Sequence, residues 1–479
     1  MKRVTALGII IVLVLCACVF PAGAEQLNAV RKTQVSGLYS YLPLDDGTAM
    51  ITGYSGEEGD LIIPTELDGV PVTAIGPSAF QAVLSLIEVR VPEGITSLGD
   101  YAFQRCPNLT EVSLPDSLKD VGLNPFAGCE SMSDIVISEN NPYLILSDEV
   151  LFHREDRRLI TFPRLREKGA YTIPDGTKII GASAFYECDN VTELVIPDSV
   201  TAIGRRAFYL CGSLTSVKLP PEIATIGADA FGGCRSLQSI TFPSKITSIG
   251  ERAFQDCSNL HELVLPENTT ALGEMAFRNC TGLTSIHLPA GITSIGQNTF
   301  TECRSLTEIT LPDGLAYIGA GAFSECENLT ELDLPDSVDY IGSHAFDGCV
   351  SMARISIPDT CSYIGSYAFS RCSALARMAV PSYLYTISPY AFQGCISLTE
   401  VTLPEELEEI EEWAFAGCTS LTAVEIPDPV EVIGDYAFAY CLALESVELP
   451  EDLETVGPHT FDQCPNLKDL PDLSDMIEE

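Results

Sequence analysis

The sequence predicts an α/β repeat fold: a solenoid of 23-residue units with stacked parallel strands and short helical turns. Three observations carry this. A Phe returns every 23 residues, at Phe80, Phe103 and Phe126 and then, after a break, from Phe185 to Phe461, sixteen units in all, and in every unit but the first, where Val83 stands, a Cys follows it three residues later. Each unit contains two short extended segments with apolar residues at alternate positions. An Ile-Gly pair and a Pro punctuate the unit at fixed places.

The unit from Ile318 to Pro335 shows each element in order. Ile318-Gly319 ends an extended segment, and the glycine allows the chain to bend. Ala322-Phe323-x-x-Cys326 is predicted to be a single helical or 3₁₀ turn. Leu332 and Leu334, two residues apart, mark one face of a strand. Pro335 ends that strand because it has no N–H for a ladder. Val338 to Ile341 is the second extended segment. Stacked at about 4.8 Å per strand, sixteen units span roughly 75 Å. The repeated Phe is predicted to face inward.

This motif resembles the BspA-type leucine-rich repeat of surface proteins from bacteria and some protists. The resemblance covers roughly residues 70–471 and implies a leucine-rich-repeat solenoid. The lead-in, with Asp45-Asp46-Gly47-Thr48-Ala49, Ile51-Thr52-Gly53-Tyr54 and Ile63-Pro64, is similar to the family's N-terminal capping strands. A cap is needed physically, since the first unit otherwise leaves an open edge. The break from Phe126 to Phe185 holds one repeat plus 36 residues. Within it, Glu149 to Phe152 and Leu159 to Phe162 flank His153 to Arg158, which reads as a hairpin projecting from the solenoid. Similar insertions follow Asn-Pro, here Asn141-Pro142, in the same family. The organisation is therefore an export signal at 1–24, capping strands at 25–69, repeats at 70–137, an inserted hairpin at 138–173, repeats at 174–471 and an acidic tail at 472–479.

The export signal rests on Lys2 and Arg3, the apolar run from Ala6 to Val19, too short for a span, and Ala22-Gly23-Ala24. Leu15-Cys16-Ala17-Cys18 also reads as a loose lipobox, which would place a lipid on Cys18. Both readings put the chain outside the cell, secreted or at the surface. There is no second apolar segment to act as a transmembrane anchor. A net charge of −41 excludes nucleic acid, whose phosphates demand cations, as a partner.

Of the 18 Cys, fifteen stand three residues after the motif Phe, and Cys361 takes a core position usually held by Val or Ile. Side chains at equivalent positions of stacked units run parallel about 4.8 Å apart, a poor geometry for disulfides. These cysteines are predicted to be buried free thiols. A single-file column supplies no convergent metal ligands, so neither a metal nor a cofactor is expected.

No His-Glu-x-x-His, Gly-x-Ser-x-Gly, phosphate loop or Cys/His zinc pattern occurs, and no enzymatic activity is expected. Candidate binding residues lie on three surfaces. On the outward strand face, Glu88, Glu111, Asp134, Glu193, Glu262, Glu308, Glu331 and Glu400 accompany many Thr. This is either a solvated face or an acidic, hydroxyl-rich groove for a basic protein or Ca²⁺. An aromatic column, His344, Tyr367, Tyr390, Trp413, Tyr436 and His459, stands two residues before the motif Phe, and Tyr317, Tyr340 and Tyr363 form a shorter one six before it. Such rings serve as protein hot spots or sugar platforms; mutual stacking that stiffens the array competes. Third, Arg154, Arg157, Arg158, Arg164, Arg166 and Lys168 gather in the insertion, either as a solvated tip or as a basic knob for an acidic surface, including another copy of this chain.

The resemblance implies adhesion to host proteins or other cells through an extracellular protein or glycan ligand. Two other readings remain open at this point: a self-assembling structural envelope protein and a carbohydrate-recognition module.

Overall fold

A computed structural model describes residues 32–164, 169–451, 453–468 and 473. They form a β-solenoid of about 18 turns. Each regular turn contributes a three-residue strand, such as Glu331–Asp333, and a two-residue strand, such as Tyr340–Ile341. Like strands of successive units pair in parallel, Leu332 opposite Ile355 and Ile341 opposite Ile364. The middle residue of each three-residue strand points inward and its neighbours outward, as the strand period of two requires. The expected export signal, including Cys18, lies outside the described residues, as does all of the acidic tail but Leu473.

At the N-terminal end, Gln34–Ser36, Tyr39–Pro43 and Ala49–Tyr54 form an antiparallel meander. Its last strand pairs in parallel with Val70–Ile75, so the meander covers an edge the repeats would otherwise leave open. Tyr54 lies 5.3 Å from Phe80 and heads the internal column of rings. Farther along, Phe254, Phe277 and Phe300 are fully buried and stack at 5.5 and 5.6 Å. Burying each ring stabilises the fold by about 1.5–3 kcal/mol.

The expected helical turn is not there: no helix occurs among the described residues. The backbone through the motif Phe alternates instead. Gly321, two residues before Phe323, has φ +62°, and Glu325, two residues after, has φ +59°. This alternation sends every second N–H along the stack. The N–H groups of Gly321, Phe323 and Glu325 donate to the carbonyls of Ser343, Ala345 and Asp347 in the next unit, at 2.9, 2.7 and 2.7 Å. Those of Ala322, Ser324 and Cys326 close tight turns on Gly319, Gly321 and Phe323 in their own unit. A helix would keep all of these bonds within one unit; this arrangement adds a third inter-unit ladder to the two sheets. It also explains the Ile-Gly pair. A Cβ on Gly319 would stand 2.8 Å from the Gly296 carbonyl carbon, so close approach of the stacked backbones demands glycine.

The cysteine column belongs to the same ladder. Cys326 Sγ donates to the Phe300 carbonyl at 3.3 Å, and Cys349 Sγ to the Phe323 carbonyl at 3.2 Å. The pattern runs from Cys106 onto Phe80 to Cys464 onto Phe438. All sixteen described cysteines are free, and all but Cys464 are buried. Burial pushes the thiols of Cys234, Cys303 and Cys418 up to about 12, which keeps them protonated and able to donate. A buried cysteine here is thus a small side chain that also satisfies a main-chain acceptor.

The insertion is built into the stack rather than projecting from it. Leu144–Ser147 and Val150–His153 pair antiparallel, and Val150–His153 pairs antiparallel with Arg158–Thr161. Arg158–Thr161 then pairs in parallel with Ile179–Ile180, taking the place of a two-residue strand. Phe162 stacks on Phe185 at 4.8 Å and its N–H donates to Ala184, so it occupies the motif position 23 residues ahead of Phe185. The segment also separates two hydrophobic cores. Leu144, Leu151 and Ile160 pack into the N-terminal one, and Val150, Phe152, Leu159 and Phe162 into the C-terminal one. The shortened unit lets its neighbours meet at the turn edge, where Asn124 Nδ2 donates to the Ser183 carbonyl at 2.6 Å.

Candidate binding surface

The aromatic column stands on the alternating turn, two residues before the motif Phe. His344, Tyr367, Tyr390, Trp413 and Tyr436 all sit at φ between 57° and 60°. A bulky side chain in this region costs about 1–2 kcal/mol. The same backbone carries Ser183, Arg206, Asp229, Met275, Asn298 and Gly321 in earlier units, so the turn does not need a ring. Once present, the rings stack. His344 to Tyr367 is 4.6 Å, Tyr367 to Tyr390 4.4 Å, Tyr390 to Trp413 5.9 Å and Trp413 to Tyr436 4.3 Å, with planes 5–17° apart. His459 closes the column at 4.8 Å, tilted by 31°. Each stacked pair returns about 0.5–1.5 kcal/mol, of the order of the backbone cost. Faces of the inner rings are covered by their neighbours, and the half-buried rings leave their edges as the part a partner can reach. Burial, with the Glu412 carboxylate and Tyr367 alongside, raises the Tyr390 phenol above its usual value.

Both ends of the column carry an imidazole–carboxylate pair, His344 with Asp347 at 3.2 Å and His459 with Asp462 at 3.3 Å. Beside it the structure adds residues that the sequence reading passed over. Val350, Ile396 and Leu442, four residues after the motif Phe, are exposed, as is Tyr440 at 45%. The clue was available in the sequence: an apolar residue at a position elsewhere held by Asp189, Arg235, Ser258 and Thr281. The shorter column also stacks. Tyr317, Tyr340 and Tyr363 lie 4.8 and 4.7 Å apart at the start of their two-residue strands, with Tyr317 and Tyr363 about two-fifths exposed.

On the three-residue strands, Glu262, Glu308, Glu331 and Glu400 are exposed. Their charge is answered in places from the next unit: Arg354 reaches Asp333 at 2.7 Å and Glu331 at 3.5 Å. Hydroxyls at the position just before these strands turn along the stack. Thr284, Thr307 and Thr399 donate to the carbonyls of His261, Thr284 and Ala376 at 3.0–3.1 Å. They serve the ladder. No cluster of His, Cys, Asp and Glu able to hold a metal occurs among the described residues.

In the insertion the arginines divide by role. Arg154 donates through Nε to the Leu144 carbonyl at 2.7 Å and through Nη2 to that of Glu139 at 3.2 Å. Arg158 reaches the Val121 carbonyl at 3.3 Å, bridging the insertion to the preceding repeats. Arg164 pairs with Glu187 at 3.1 Å. Arg157 is exposed at the hairpin turn, φ +54°, and its guanidinium has no partner among the described residues. Arg166 and Lys168 lie outside the described residues.

The family described as the BspA type leucine rich repeat region matches residues 66–163, 178–306, 293–419 and 371–475. Among solved structures, a leucine-rich repeat protein from Bacteroides ovatus ATCC 8483 is similar over 91% of this chain and 93% of its own, at 24% identity and a TM-score of 0.46. A leucine rich cell surface protein from Faecalibacterium prausnitzii A2-165 is similar over 91% and 93%, at 22% identity and a TM-score of 0.34. The pneumococcal vaccine antigen PcpA is similar over 68% and 99%, at 17% identity and a TM-score of 0.36. No curated protein matches the chain. The family matches together span most of the sequence, and the chain belongs to the BspA-type leucine-rich repeat family.

Proposed function

We propose that this protein is a non-catalytic binding protein that works outside the cell, secreted or at the surface, and that it takes a protein partner along the edges of its C-terminal aromatic column. One observation carries the reading. The turn that holds Tyr367, Tyr390, Trp413 and Tyr436 is built equally well without rings in earlier units, so the rings answer a need other than folding. Val350, Ile396 and Leu442, in alternate units with Ser373 and Thr419 between them, and Tyr440 add exposed apolar side chains to the same units, as protein contacts use. A sugar platform needs an open ring face. Here the inner faces are occupied at 4.3–5.9 Å, which favours a protein over a glycan.

The test is a binding screen of the purified chain against host matrix proteins, mucins and a glycan array. A variant carrying Tyr390→Asn, Trp413→Asn and Tyr436→Asn runs alongside. Asn suits the left-handed backbone, as Asn298 shows at the same position, so the variant is expected to stay folded. Protein binding that falls at least about tenfold in the variant supports the reading. Binding to sugars alone, or protein binding that the variant keeps, overturns it.

A further inference from the structure

The insertion creates a second candidate site, far along the array from the aromatic column. Beside its edge strand Leu144–Ser147 lies a cleft of about 360 Å³, in the range of small-ligand pockets. Its apolar side is Ile145, Phe152 and Pro174; Arg154, Arg157 and Asp175 bring charge to it. The two arginines are held differently from the ion-paired arginines elsewhere in the chain. Arg164, Arg206, Arg278, Arg354 and Arg371 each have a carboxylate oxygen within 3.4 Å. Arg154 instead is tied to two main-chain carbonyls, which fix its guanidinium without neutralising it. Arg157 is held by neither, and no ion pair joins either arginine to Asp175 among the described residues. On a chain of net charge −41, the cleft thus sets two guanidiniums, neither in an ion pair among the described residues, beside an apolar wall, with Asp175 and His153 also lining it.

We propose that this cleft binds a small carboxylate, with the acid on Arg157, Arg154 supplying fixed positive charge, and the ligand's body against Ile145, Phe152 and Pro174. A guanidinium presents two parallel N–H donors to a carboxylate and is weakly hydrated, so it is the side chain best suited to this task. The apolar wall lowers the local dielectric and strengthens the pair. Asp175 opposes the ligand's charge and tunes affinity downward. The acid reaches the cleft either as an amino-acid or peptide terminus or as an acidic sugar.

Titration of the purified chain with N-acetyl-leucine, N-acetyl-leucinamide and N-acetylneuraminic acid, followed by ligand-observed NMR, tests this. Expected is saturable binding of at least one acid, with the amide at least about tenfold weaker. Binding of N-acetyl-leucine assigns the peptide source, and binding of the sugar acid alone assigns the other. Arg157→Asn, which suits the left-handed turn, weakens the acid by about tenfold or more, and Asp175→Asn tightens it. Equal binding of acid and amide, no effect of Arg157→Asn, weaker binding in Asp175→Asn, or no binding of either acid at millimolar concentration overturns the proposal.

Discussion

Two columns of rings run along this molecule, one inside and one outside, and they look alike. Inside, Phe254 and Phe277 stand 5.5 Å apart with planes 3° from parallel. Outside, Tyr367 and Tyr390 stand 4.4 Å apart with planes 6° from parallel. The likeness comes from the repeat, since any ring placed once per unit meets its copy at the strand spacing. Stacking by itself therefore says nothing about role. The difference lies in what other units do. The inner position is Phe in every regular unit, where it fills the core. The outer position is aromatic in six C-terminal units and mostly polar before them, and five of the six rings sit on the same left-handed backbone as their polar counterparts.

The sharpest way to break the comparison is to delete one ring from each column. Phe277→Ala, at a fully buried site between two stacked neighbours, is expected to cost about 3–5 kcal/mol, read from chemical denaturation. Next in size is the response to alkali, which tests the inner ladder as a whole. The thiols of Cys234, Cys303 and Cys418 are raised to about 12 from an ordinary value of 9.0. The unfolded chain loses these protons first, so their contribution is intact below pH 9 and is lost as pH rises toward 12. Melting temperature against pH should fall steeply over that window; a flat profile would count against buried, protonated thiols. Smaller again is Cys326→Ala, which leaves the Phe300 carbonyl short of one donor and should cost about 1–2 kcal/mol. Smallest is Tyr390→Asn. Lost stacking and relieved backbone strain nearly cancel, and the change is expected to stay within about 1 kcal/mol of zero while partner binding drops. A loss there as large as at Phe277 would move the outer column into the fold and away from recognition.

Much of the fold was legible because it is periodic. The phase of the Phe, the Pro that ends each strand and the single-file cysteines can be read without structure. The turn was not. Ala-Phe-x-x-Cys has the composition of a helical turn, and nothing in one unit distinguishes it from the alternating backbone. Comparison across units does. Gly233, Gly348, Gly394 and Gly417 recur two residues after the motif Phe, and Gly321 and Asn298 two before, which are residues that tolerate positive φ at two fixed places. The place of the insertion in the stack is hidden in the sequence for a related reason. Phe162 lies 23 residues before Phe185, but Thr161 precedes it and Leu165 stands where Cys is usual, so it fell off the ruler. Arg154 and Arg158 read as exposed charge because the carbonyls they serve, on Leu144 and Val121, come close only through pairing. The aromatic column was visible as spacing; its occupied faces and its exposed apolar neighbours were not.

The shortened unit at Phe162 and the first outer ring at His344 are separated only by regular repeats. Each repeat advances the chain by one strand spacing, so the cleft and the aromatic column stand about eight steps apart, on the order of 40 Å. Duplication or loss of a single 23-residue unit between them would lengthen or shorten that gap by about 4.8 Å while leaving the chemistry at each end untouched. The array thus works as a ruler whose graduations are encoded in the gene, and the distance between two binding events can change without the redesign of either.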